Sequence, residues 1–220
     1  KMIMYYQDAV YNELESIETI PKSLIESGGL KIYTSLNVEA QRKMEENIQK
    51  YMADSGELQV ASLIINPKTG GIMALTGGTD YAKSQFNRAI SAKRQVGSSI
   101  KPLLYYSALE NGMVSSSTFL SEPTTFVFSS NKTYAPANYN NKYGNKNITM
   151  AAAIAYSDNI YAVKTHLFLG EETLVNTAKR MGIKQQLKAI PSLALGTCEL
   201  SMLDFARAYS TLASGGYKNE

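Results

Sequence analysis

Arg94-Gln95-Val96-Gly97-Ser98-Ser99-Ile100-Lys101-Pro102 sets a Ser-x-x-Lys pair just after a glycine and just ahead of a helix-like run. Residues three apart share a helix face, so the Ser98 hydroxyl and the Lys101 amine fall on one side. A serine hydroxyl is a poor nucleophile at neutral pH, and a lysine shielded from water is neutral enough to take its proton. Gly97 removes side-chain bulk where a carbonyl would approach, and a backbone N–H at a helix start is placed to donate to a developing oxyanion. Pro102 deletes one helical hydrogen bond, to the Ser98 carbonyl, and fits if the helix starts at the serine, with Ser98 at or next to the N-cap. The motif is short enough to arise by chance, and its bland reading is a solvated Ser and Lys at a helix mouth. The surroundings have to decide.

The chain has 220 residues, 44% hydrophobic and 19% charged, which is globular composition and enough for one domain or one and a half. A net charge of +3, with lysines and arginines scattered, offers no track for a phosphate backbone, so no nucleic-acid partner is expected. The lone Cys198 rules out an internal disulfide and a multi-cysteine metal site. The lone His166 sits in a helical pattern, and neither His-Glu-x-x-His nor Gly-x-Ser-x-Gly occurs, so zinc hydrolases and serine–histidine hydrolases lose their footing. No run of 18 apolar residues marks a membrane span, and the charged, tyrosine-rich start is unlike a signal peptide.

Outward from the serine, Val60-Ala61-Ser62-Leu63-Ile64-Ile65 and Ile72-Met73-Ala74-Leu75 read as a hairpin of covered strands around the turn Asn66-Pro67-Lys68-Thr69-Gly70-Gly71. Earlier, apolar residues at Ile3, Tyr6, Val10, Leu14 and Ile17 predict an amphipathic helix over 2–17. Leu30 to Ser35 alternates like a short strand, and Asn37 caps a helix with Val38, Met44 and Ile48 inward. Asp54-Ser55-Gly56 reads as a seam. Beyond the serine, a helix runs from Leu103 to Glu110, and loops with short strands fill 118–147. Helix follows over 149–169 with a break at Ser157-Asp158-Asn159, then helices over 171–181 and 201–213. That break is informative, because three polar residues inside an apolar helical run are costly unless they face a cleft. Ser157 and Asn159 are therefore candidate site residues, against a helix-joining turn as the alternative. Ser129-Ser130-Asn131, in a polar stretch, is a turn.

The order Ser98-Ser99-Ile100-Lys101, then Ser157-Asp158-Asn159, resembles the first two motifs of the serine acyltransferases that include penicillin-binding proteins and class A β-lactamases. Asn66 to Ala74, Gly77-Gly78, Ser84 to Ala89, Arg94 to Pro102, Ala194-Leu195-Gly196 and Ala206 to Gly216 resemble the transpeptidase domain of the bifunctional, class A penicillin-binding proteins. The likeness covers nearly the whole chain. It implies an α+β fold, an antiparallel sheet flanked by helices, with residues 1–55 as the linker module behind an upstream glycosyltransferase and 56–220 as the front of the transpeptidase domain. It also implies Ser98 as acylated nucleophile, Lys101 as its base, Ser157 as proton relay to the leaving amine, and Asn159 as partner of the substrate amide. No cofactor or metal is implied. Asp158 is the variable middle residue of its triplet and reads as structural, and Val96 stands where the family usually has proline.

The family's third motif, Lys-Thr-Gly, lies in a strand far after the Ser-x-Asn triplet. Lys68-Thr69-Gly70 has those letters but precedes Ser98 and follows Pro67, so it is a turn. The resemblance thus leaves the sheet incomplete at the C-terminus, with an unpaired edge. The completing strand is expected on a C-terminal fragment of the same domain, which a second chain could carry. The activity implied is a D,D-transpeptidase that joins peptidoglycan stem peptides from a D-Ala-D-Ala donor to an amine acceptor and is inhibited by β-lactams. It would work outside the cell, anchored to the outer face of the cytoplasmic membrane through a segment outside these residues. The alternatives are a serine β-lactamase and a non-catalytic penicillin-binding sensor or scaffold. Glu171-Glu172-Thr173-Leu174-Val175 resembles the β-lactamase deacylation motif, but Val175 stands where Asn belongs and the spacing from Ser157 is short.

Overall fold

A computed structural model describes residues 1–219 and divides them into two compact units. The first holds residues 1–93 and the return segment from Leu200 onward, and the second Arg94–Glu199. The chain passes from one to the other in β3 (Lys93–Gln95) and back in β8 (Glu199–Ser201).

The first unit is built on the antiparallel hairpin β1 (Ser62–Ile65) and β2 (Ile72–Thr76), with Leu63 opposite Leu75 and Ile64 opposite Ala74. Helix α1 (Ile3–Ser16) lays Tyr5, Tyr6 and Leu14 inward, and Met2, Tyr5, Tyr6, Leu75 and Ala89 form the centre of the core. Tyr6 ties helix to sheet by donating to the Ile72 carbonyl at 2.7 Å. Short α2 (Lys22–Ser27) follows, then α3 (Val38–Met52), whose Asn37 cap accepts from the Ala40 N–H at 2.9 Å. Met44 is buried as expected, whereas Val38, at the solvent side of the first turn, is 72% exposed. The return segment forms α8 (Met202–Ala213), capped by the Ser201 hydroxyl on the Asp204 N–H.

One residue decides which edge of the hairpin stays open. Gln41 of α3 donates from Nε2 to the Leu75 carbonyl at 3.0 Å and accepts the Leu75 N–H at Oε1 at 2.8 Å, imitating a neighbouring strand with one side-chain amide. Asn37 N–H takes the Met73 carbonyl at 2.8 Å. The outer edge of β2 is thereby closed. This corrects the expectation of a strand at Leu30–Ser35: that segment is irregular and exposes Leu30, Ile32 and Tyr33, since alternation alone makes no strand without an edge to pair with. With Leu75 turned toward Gln41, its partner Leu63 sits in a non-hydrogen-bonded pair and directs its own N–H and carbonyl to the other edge of β1, which no strand pairs among the described residues.

In the second unit a 3-10 turn over Gly97–Ile100 leads into α4 (Lys101–Glu110). Then come β4 (Thr118–Ser121), β5 (Phe126–Val127), β6 (Thr133–Tyr134) and β7 (Lys146–Thr149), with β4 pairing β7 and β5 pairing β6, both antiparallel. Helices α5 (Met150–Tyr156), α6 (Asn159–Leu169) and α7 (Glu171–Arg180) follow, and a 3-10 segment over Pro191–Leu195 precedes Gly196. Leu103, Leu104, Ile160, Val163, Leu174 and Leu193 are fully buried or nearly so and make its core. His166 is buried in α6 with Nε2 against the Ile190 carbonyl at 2.9 Å, and burial lowers its pKa.

Gln41→Ala leaves the Leu75 N–H and carbonyl buried without partners, which costs on the order of 1–3 kcal/mol. Equilibrium urea unfolding of the variant against the parent is expected to show that loss, and Gln41→Glu should lose about as much, because a carboxylate cannot donate to the Leu75 carbonyl.

Candidate active site

The Ser-x-x-Lys stretch and the break between α5 and α6 come together in the second unit, through Lys101. The 3-10 turn opens at Gly97, whose φ of +57° lies in the left-handed region that glycine enters without cost. Lys101 N–H bonds back to the Ser98 carbonyl, filling with an i to i+3 bond the acceptor that Pro102 leaves without its α-helical donor. The helix therefore starts one turn later than expected: Val96 caps the 3-10 turn, Ser98 lies exposed within it, and α4 begins at Lys101. Pro102 occupies the second helical position, where no donor is missed.

Lys101 is 4% exposed. Its Nζ donates to the Ser157 carbonyl at 2.8 Å, to Ser157 Oγ at 2.9 Å and to Asn159 Oδ1 at 2.7 Å. All three donors of an ammonium are thus engaged, and Ser98 Oγ is not among the acceptors. Burial pushes the Lys101 pKa down to about 8, against the pull of the nearby Asp158 charge. Such an amine loses its proton far more readily than a surface lysine, and once neutral it has one donor fewer and a lone pair to offer.

Ser157 owes its place to backbone geometry. It ends α5 in the left-handed region, φ 52° and ψ 47°, a conformation that costs a serine on the order of 1 kcal/mol and clusters at functional sites. That turn presents both its carbonyl and its hydroxyl to Lys101. Asp158 N–H closes the corner on the Ala153 carbonyl at 2.9 Å. Asn159 begins α6, with Oδ1 on Lys101 and one Nδ2 hydrogen on the Ala137 carbonyl at 2.7 Å, leaving the second for a further acceptor.

The reading of the sequence gave no part in the site to three further contributors. Asp158 caps α6 by accepting the Tyr161 N–H at 2.8 Å, and its other oxygen takes Ser121 Oγ and, at 2.8 Å, Asn138 Nδ2. An Asp just ahead of a helical run is a cap signal, so this role was legible in principle. Asn138 lies in a polar loop some twenty residues upstream, where nothing local singles it out. Gly196, φ +70°, holds the serine turn from the other side: Gly97 N–H donates to its carbonyl at 2.9 Å, and a Cβ at Gly196 would fall 2.0 Å from the Gly97 carbonyl oxygen.

A fold of this class, with a serine turn beside a buried lysine held by a Ser-x-Asn corner, matches one family: residues 60–220 fit the penicillin binding protein transpeptidase domain. The chain belongs to that family, and the likeness to class A penicillin-binding proteins seen in the sequence holds. It is 46% identical over 217 residues to penicillin-binding protein 2D of Bacillus subtilis, covering 98% of this chain and 31% of that protein. Against penicillin-binding protein 1A of Aquifex aeolicus the identity is 41% over 162 residues, covering 73% of this chain and 22% of the relative. The chain thus spans under a third of the length of these relatives. Among solved structures, penicillin-binding protein 1A of Haemophilus influenzae superposes with a TM-score of 0.66 at 34% identity, over 70% of this chain and 23% of that one. The PonA1 protein of Mycobacterium tuberculosis in complex with penicillin V gives 0.82 at 22% identity, over all of this chain and 61% of that one. At that identity the likeness speaks for the fold, which is α+β with antiparallel sheets and helices, as expected.

Gly196→Ala forces an alanine into a left-handed backbone and drives its Cβ into Gly97. Strain and clash together cost on the order of 2 kcal/mol or displace the turn. Equilibrium urea unfolding is expected to show that loss in Gly196→Ala and a smaller one in Gly215→Ala, which shares the left-handed backbone (φ +77°) but has open space around its Cβ.

Proposed function

We propose that the chain is the serine-bearing part of a D,D-transpeptidase that cross-links peptidoglycan stem peptides, with Ser98 as nucleophile, Lys101 as its base, Ser157 as relay and Asn159 as substrate-binding residue. The observation that carries this reading is the buried Lys101 amine, tethered to both Ser157 and Asn159 and following one turn after Ser98. Ser98 Oγ adds to the carbonyl of the penultimate D-Ala as its proton passes to the neutral Lys101 amine. The peptide C–N bond then breaks, the proton reaches the departing D-Ala nitrogen by way of the Ser157 hydroxyl, and an ester remains on Ser98. An amine of a neighbouring stem attacks that ester. The bond between the acyl carbon and Ser98 Oγ breaks, the proton lost by the amine returns to that oxygen through the same groups, and a cross-link is formed. A β-lactam acylates the same serine but keeps its leaving nitrogen tethered in the opened ring.

The reading extends to the whole protein. Residues 1–55 are the linker module behind a glycosyltransferase, and the protein works outside the cell, anchored to the cytoplasmic membrane by a segment outside these residues. No helix among the described residues is long and apolar enough to cross a membrane. The sheet is completed by a strand bearing a true Lys-Thr-Gly motif, supplied by the C-terminal fragment of the same domain. The edge of β1 that no strand pairs among the described residues supports this, as does the placement of Lys68-Thr69-Gly70 in the hairpin turn. The β-lactamase reading is weaker, because Glu171 and Glu172 form the first turn of α7 and Leu174 is fully buried.

Mass spectrometry of the full-length protein after penicillin treatment, intact and with peptide mapping, is expected to find one adduct on Ser98 and none in Ser98→Ala, while a chromogenic cephalosporin turns over slowly. An adduct elsewhere overturns the nucleophile, and rapid turnover favours the β-lactamase. The pH dependence has a definite sign. Lys101 must be neutral to act, so acylation should climb as pH rises toward about 8 and level off above it, and Lys101→Arg, which stays charged, should abolish it.

A further inference from the structure

We propose that Asn138, in the loop between β6 and β7, is a positioning residue for the reaction at Ser98, setting the geometry of the Ser157-Asp158-Asn159 corner through a side-chain amide bonded at every position. This rests on the reading of Ser98, Lys101, Ser157 and Asn159 as the reacting site.

Asn138 is 8% exposed. Its Nδ2 donates to Asp158 Oδ2 at 2.8 Å and to the Lys142 carbonyl at 3.0 Å. Its Oδ1 accepts from the Asn159 N–H at 2.7 Å and the Ile160 N–H at 3.4 Å. Two donors and two lone pairs are the whole capacity of the group. Each bond does a separate task. The bond to Lys142 closes the loop upon itself, and the bond to Asp158 supplies one of the donors that keep a buried carboxylate satisfied. The two bonds at Oδ1 cap the first turn of α6, whose N–H groups have no partner within the helix. The preceding residue joins in, since the Ala137 carbonyl receives Asn159 Nδ2.

What makes this more than loop anchoring is where the bonds end. Asn159 is gripped at its backbone N–H by Asn138 and at its side-chain nitrogen by Ala137, so its Oδ1 has one direction left, toward Lys101. Asp158 is held on one side by Asn138 and Ser121 and on the other by its own cap bond, and it adjoins the strained Ser157. Without Asn138, Ser157 has less to keep it left-handed, and Lys101 loses acceptors it needs at fixed distance. No other amino acid supplies two acceptor positions and two donors from so short a side chain. Aspartate comes nearest, and only when protonated, because its carboxylate would otherwise face the carboxylate of Asp158.

The charged groups around the position are Asp158, in direct contact, and Lys101, one residue removed through Asn159. The test uses the full-length protein, a fluorescent penicillin as probe, the acylation rate across pH 5 to 8, thermal unfolding at each pH, and peptide mapping of the adduct. Asn138→Ala is expected to acylate about thirtyfold more slowly than the parent after correction for any unfolded fraction. Asn138→Asp, compared with the parent at each pH, should come within about threefold at pH 5, where the paired carboxylates share a proton, and fall about tenfold further by pH 8. The falling ratio with pH is what a merely structural role would not produce once folded fraction is accounted for. Labelling of Ser98 in Asn138→Ala at the parental rate overturns the inference and leaves the reading of the site intact. If Asn138→Ala does not fold, a pH-independent ratio for Asn138→Asp overturns it instead. A parent protein unlabelled at Ser98 overturns the reading of the site and this inference with it.

Discussion

Everything in the second unit answers to one constraint, the burial of a lysine amine away from water and beside neutral oxygens alone. Lys101 has a carbonyl, a hydroxyl and an amide oxygen for company and, among the described residues, no carboxylate in contact. A salt bridge would have fixed its charge. Neutral acceptors satisfy its hydrogens without doing so, which leaves the proton weakly held while the group stays ordered. The serine turn, the left-handed corner and the α6 cap are the means of assembling those acceptors.

The polar network behind them follows from the same economy. Burying Asp158 near Lys101 is tolerable only because Ser121, Asn138 and the Tyr161 N–H satisfy both of its oxygens. Networks of this kind are rigid when complete and unstable when one member is lost. A corner in which an off-minimum serine must sit at hydrogen-bond distance from a buried amine needs that rigidity, and an apolar core could not provide it with the same directionality.

Most of this was written in local sequence, and the exceptions share a cause. Helical periodicity placed α1, α3 and α4 to α8 to within a few residues, because amphipathic and capped helices are specified by neighbours three and four apart. The hairpin was legible from apolar runs around Pro and Gly. Ser98, Lys101, Ser157 and Asn159 were singled out by chemistry and motif, and three of them meet through Lys101 Nζ. The strand at Leu30–Ser35 failed because strand formation depends on an edge, and that edge had been taken by Gln41, which looks in the sequence like any helix-face residue. The parts played by Asn138 and Gly196 were missed for a related reason. Their importance lies in contacts across 21 residues to Asn159 and across 99 to Gly97, and neither spacing leaves a trace in local pattern.

The Gln41 amide has a consequence for how a sheet of this kind is put together. By standing in for a strand on one flank, it makes the hairpin directional: hydrogen-bonding capacity survives along β1 and is extinguished along β2. Additional strands can accrue on one side only, in one order, and two hairpins meeting by their β2 flanks have no ladder to share. A single glutamine thus acts as a terminator, converting a symmetric two-stranded ribbon into a seed with a growing end and a dead end.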